Sequence, residues 1–177
     1  MKKSLSFWQF AGFVFTCLAG TLLHFFYDWS GQNLFVALFS GVNESVWEHM
    51  KLLFFPLFAF ALFESRHFAK EYENFWCVKL IGILLGISLI AVLYYTYTGA
   101  LGVSADWFNI TIFFIAAAAT YRIETKLMKS DYACRLSPAA SFGFICLLAV
   151  LFFVFTFAPP YIPLFQDPVT KTYGIPA

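Results

Sequence analysis

The chain has 177 residues, of which 61% are hydrophobic, 22% aromatic and 12% charged, with a formal net charge of +1 at pH 7. A soluble domain carries charge on about a quarter of its residues, so this composition excludes one and reads as an integral membrane protein. The near-neutral charge and the lack of a basic patch exclude nucleic acid as a partner.

Met1-Lys2-Lys3 ahead of an apolar run has the outline of a signal peptide, but the run continues from Phe7 to about Tyr27 without a small-x-small cleavage site. It reads as a first transmembrane helix, about 7–27, with His24 and Asp28 four residues apart on one face near its far end. Residues 33–42 are apolar but too few to cross a core about 30 Å thick, which predicts a short interfacial or re-entrant helix. The second span, about 44–64, contains Pro56, which removes one backbone hydrogen bond and predicts a kink near Leu52. Residues 64–74 form a charged loop.

The third span, about 75–97, contains Gly82-x-x-x-Gly86, a small face that lets another helix approach closely and is a candidate homo-oligomer contact. The fourth, about 105–122, opens with Asp106 and Asn109 and projects from the membrane through Glu124 and Lys126. The fifth, about 138–158, has Ser137 as a cap and Pro138 in its first turn. Residues 159–177 contain five of the seven prolines and no helical period, so an extended tail is expected after a single domain spanning 1–158. The predicted fold is therefore all-α, with five transmembrane helices and one short interfacial or re-entrant helix. Cys17, Cys77, Cys134 and Cys146 show no C-x-x-C spacing and read as free thiols.

With five spans, Lys2, Lys3, Arg66, Lys70, Lys79, Arg122, Lys126, Lys129 and Arg135 all fall on the side of the N-terminus. The positive-inside rule then makes the N-terminus cytoplasmic and the tail external. The same topology gathers His24, Asp28, Glu44, Glu48, His49, Asp106 and Asn109 at the outer end.

The densest polar stretch is Asn43-Glu44-Ser45-Val46-Trp47-Glu48-His49-Met50-Lys51. Read as a helix at about 100° per residue, it sets Glu44, Glu48 and Lys51 within an arc of about 60°, with Ser45 and His49 beside it. Asn43 or Ser45 can cap the first turn, and Ser45-x-x-Glu48 has the capping-box form. Ionisable groups at membrane depth are costly unless they meet a partner, a cavity or an ion.

Three functional readings follow. His24, Asp28, Glu48 and His49 can hold zinc or another divalent metal, with Glu44 or Glu48 as general base, in a hydrolase acting on a lipid-borne bond. Alternatively, Glu44, Glu48 and Lys51 bind a proton or cation in a carrier or channel subunit. In the third reading the cluster, with Asn43, Ser45, Asp106 and Asn109 in support, is a hydrogen-bonded clasp between helices. Whether the chain is an enzyme is left open by the residues, and membrane lipid is its expected surrounding partner.

The string Asn43 to His49, the following Lys51-Leu52-Leu53-Phe54-Phe55-Pro56 and the preceding Leu23-His24-Phe25-Phe26-Tyr27-Asp28 resemble a family of small bacterial integral membrane proteins of unknown function. The resemblance covers essentially the whole chain. It implies a multi-span protein of the bacterial cytoplasmic (inner) membrane, and it assigns no activity to these positions.

Overall fold

A computed structural model describes residues 4–130 and 132–175. Lys2 and Lys3 of the basic set, and the last two residues of the tail, lie outside the described residues. The chain is all-α: α1 (Leu5–Trp29), α2 (Leu34–Ala37), α3 (Val46–Phe68), α4 (Phe75–Leu101), α5 (Asp106–Lys129), α6 (Pro138–Phe157) and a 3-10 turn, Pro163–Phe165. Among the described residues strand pairing is confined to a single bridge, Gln166 to Tyr173.

Four helices, α1, α3, α4 and α6, are long and apolar enough to cross a membrane. The fourth expected span, about 105–122, coincides with helix α5, but the 24 residues of α5 include Asp106, Arg122, Glu124, Lys126 and Lys129, and it is not among the helices apolar enough to cross. The helices also run further than hydropathy alone places them. Glu64, expected in a loop, lies within α3, and Glu124 lies within α5.

Helix α3 is the centre of the bundle. It buries 72% of its most apolar stretch, against 28% for α1 and for α6, and it packs against α1, α4 and α6 while α5 lies against α4 and α1. Its start is set locally: Ser45 is the N-cap, and its hydroxyl accepts from the Glu48 amide at 3.4 Å. Ser137 caps α6 in the same way, with Pro138 in the first turn as expected. Helix α4 stops at Gly102, whose φ of +72° suits glycine.

Gly82 and Gly86 do allow a close helix approach, but the neighbour is α5 of the same chain. A Cβ on Gly82 would meet the Glu124 carboxylate, and one on Gly86 would meet the Thr120 hydroxyl. Both glycines are buried, so the face expected to meet a second copy is filled within the chain.

Two further expectations are corrected. Cys77 and Cys134 form a disulfide, because the first turn of α4 meets the connection between α5 and α6; Cys17 and Cys146 are free. The tail is folded back instead of extended. Phe165 is buried with its ring 4.8 Å from that of Trp47, and Asn43 donates through Nδ2 to the Gly174 carbonyl at 2.7 Å.

Candidate functional site

Because α3 begins at Val46, Glu44 is not on the helix at all. Asn43 Oδ1 accepts from the Ser45 amide at 2.9 Å in a local turn, and the Glu44 amide donates to Asp167 Oδ2 of the tail at 3.3 Å. The helical arc that groups Glu44 with Glu48 and Lys51 therefore does not form, and the stretch divides into two sites.

The first site joins α1 to the start of α3. Glu44 places one carboxylate oxygen 3.6 Å from His24 Nε2 and the other 3.6 Å from His49 Nε2. One ligand atom from each of the three residues lies within 4.8 Å of the others. His49 Nδ1 is 2.9 Å from the Ser45 carbonyl, which can only accept, so the helix start orients the ring with its N–H on Nδ1 and turns Nε2 toward Glu44. The side chains of His24, Glu44 and His49 are 36%, 46% and 21% exposed, so the group opens outward. The His24 imidazole, in long hydrogen-bonding contact, holds the Glu44 carboxyl below the usual carboxylate range despite the burial that raises it. Behind His49 and Glu44 lies a narrow cleft of about 20 Å³, lined also by Tyr94 and Asn109, which is room for about one water.

The second site is closed. Glu48 and Lys51 are buried and paired at 2.5 Å. The Lys51 ammonium also donates to the Ala37 carbonyl at 2.8 Å and to Thr156 Oγ1 at 2.9 Å, while Glu48 Oε2 accepts from the Val42 amide at 3.1 Å. The pair thereby ties α2, α3 and α6 together. Glu48 lies outside the group formed by His24, Glu44 and His49, and at 2% exposure it is not where a general base could reach solvent. Asp28 is not brought to that group either: it is exposed on α1, outside the three residues. Asp106 is exposed in the first turn of α5. Asn109 reaches the cleft and accepts from the Tyr97 hydroxyl.

A third polar group, missed in the sequence, sits at the basic end. Lys79 of α4 pairs with Glu64 of α3 at 2.5 Å and with Glu124 of α5 at 2.6 Å, and Gln9 of α1 donates to Glu64 at 2.6 Å. All four are buried. Lys79 Nζ also lies 5.5 Å from the Phe75 ring centroid and 5.6 Å from that of Tyr121. Each of the four falls about one turn inside a helix end, but α3 and α5 end well beyond where hydropathy places them, so this regularity is not readable in the sequence.

Fold and site together define a helical membrane-type protein with a half-open His/Glu cluster at one end of its bundle. The chain belongs to a family of unknown function, DUF6512, whose profile matches residues 1–175. No curated protein and no solved structure matches it.

Proposed function

We propose that the protein is a membrane metalloprotein that holds one divalent transition metal ion, zinc in the first instance, through His24, Glu44 and His49. The supporting observation is the pair of 3.6 Å separations between the Glu44 oxygens and the two Nε2 atoms. These are longer than ordinary hydrogen bonds, yet close to the roughly 3.4 Å between ligand atoms about 2.0–2.1 Å from a tetrahedral zinc. Three protein ligands leave one coordination position open, the arrangement that activates water. A helix-end site at membrane-surface depth suits a lipid-borne ester, amide or phosphate as substrate. By the positive-inside rule it faces the outside of a bacterial cytoplasmic membrane.

The clasp reading applies to the other half of the motif, favoured by the closed hydrogen bonding of Glu48 and Lys51. The carrier reading has no observation of its own: both buried charge groups are sealed by their partners.

Elemental analysis of the detergent-purified chain after zinc loading and dialysis tests the proposal. One zinc per chain is expected, lost in His24→Ala and in His49→Ala and kept in Asp28→Asn. Occupancy should fall as the pH drops from about 7.5 to 5.5, because protons compete for imidazole nitrogen, whereas Glu44 stays ionised throughout that range. Zinc that is absent from the wild type, or retained in both histidine variants, would overturn the reading.

A further inference from the structure

We propose that the groove between α1 and α5 at the basic end is a binding site for one anionic phospholipid, with phosphatidylglycerol as the best-fitting headgroup. The groove measures about 540 Å³ and is a separate feature from the His/Glu cluster. Arg122, Lys126 and Lys129 line it, at positions i, i+4 and i+7 of α5, and among the described residues its lining contains no carboxylate. That spacing puts three positive charges on one helical stripe, reaching from the end of α5 to about 10 Å inside it.

Arg122 and Lys126 are exposed and have no carboxylate partner among the described residues, whereas Lys129 is steadied by a 2.7 Å bond to Ser6 Oγ. Arg122 stands about two turns inside α5 beside Phe10, which is 65% exposed; where that apolar surface meets lipid, a guanidinium next to it is costly unless an anion meets it. A phosphate seated on the stripe supplies that anion, and basic pockets between membrane helices bind acidic headgroups for this reason. Phe10 and Phe13 continue the groove as an apolar wall for an acyl chain.

Gln9 makes the headgroup more specific. It lines the groove, is 3% exposed, and its Oε1 has no hydrogen-bond partner among the described residues. A buried acceptor of this kind calls for a donor, and a glycerol headgroup carries hydroxyls where a simple phosphate ester does not.

Native mass spectrometry of the full chain in detergent, titrated with phosphatidylglycerol or with phosphatidylcholine of the same acyl chains, tests the site. One phosphatidylglycerol should bind in preference. Each basic residue contributes enough that Arg122→Gln with Lys126→Gln should weaken it roughly thirtyfold, to the phosphatidylcholine level. The matched pair Arg66→Gln with Lys70→Gln, exposed at the same end but outside the groove, should keep the preference. Inorganic phosphate at millimolar concentration should not displace the lipid. Equal binding of the two lipids by the wild type, an undiminished preference in the groove variant, or displacement by phosphate alone overturns the proposal. The wild-type comparison decides even where a variant fails to fold, and none of these readouts depends on metal.

Discussion

Lys51 has no solvent-accessible surface, and each of its three ammonium protons has an acceptor: the Glu48 carboxylate, the Ala37 carbonyl and the Thr156 hydroxyl. Such a pair is not strongly stabilising against an apolar substitute, but breaking it leaves a charge buried alone, at about 3–5 kcal/mol. Lys51→Met is therefore expected to destabilise the protein by that amount in a denaturant titration. Combining it with Glu48→Gln, which still accepts from Val42, should recover most of the loss; equal losses in the single and double variants would show that the pairing is not what the buried groups depend on. Glu44 stands at the other extreme. It is half exposed, and its contacts with the rings are long, so Glu44→Gln should cost less than about 1 kcal/mol of stability while removing the metal. Two carboxylates four residues apart thus differ in kind, and the sequence does not separate them. Periodicity assigns both to one helical face, whereas the Ser45 cap ends the helix between them.

At the scale of elements, the contact of α1 with α3 turns on a proline and a glycine. Pro56 has no N–H to offer the Leu52 carbonyl one turn earlier in α3, and Gly20 of α1 lies against that carbonyl. A Cβ on Gly20 would come within 2.9 Å of the Leu52 oxygen and 2.5 Å of the Phe113 ring. Gly20→Ala should therefore cost about 1–3 kcal/mol by overpacking. Gly143→Ala in α6, where a Cβ meets nothing within 4 Å, should be neutral or gain about 0.5–1 kcal/mol. The same thermal or denaturant assay reads both, and a neutral Gly20→Ala would remove the argument for a tight crossing. The existence of the helices and the small-residue face of α4 were legible in the sequence, because length, hydropathy and Gly82-x-x-x-Gly86 are local signals. The partner of that face was not, since it depends on Thr120 and Glu124, which lie on a different helix.

Over the whole molecule, polar side chains are concentrated in two layers, one near each end of the bundle. The layer around His24, Glu44 and His49 could be anticipated because its residues stand out in apolar surroundings. The layer of Gln9, Glu64, Lys79 and Glu124 could not, because Glu64 is followed by Ser65-Arg66-His67 and Glu124 lies between Arg122 and Lys126, which makes both look solvated. The tail was misread for a related reason: its prolines preclude a long helix, but nothing local announces that Phe165 fills a space beside Trp47 or that Asp167 receives the Glu44 amide. Partners of this kind, one step behind the ligands, typically change metal affinity 10- to 100-fold. Removing residues 163–175 should accordingly weaken zinc binding by roughly that factor in a competition titration with a chelator, while leaving the four apolar helices inserted. An affinity unchanged by the truncation would detach the tail from the site. The fold-back also decides where a reporter can be fused. With the Gly174 carbonyl held by Asn43, a fluorescent protein or affinity handle joined behind the tail begins next to the scaffold of Glu44, whereas one joined ahead of Ser4 begins near Leu5, which packs with Phe68, Phe75 and Met128, a bundle's length away.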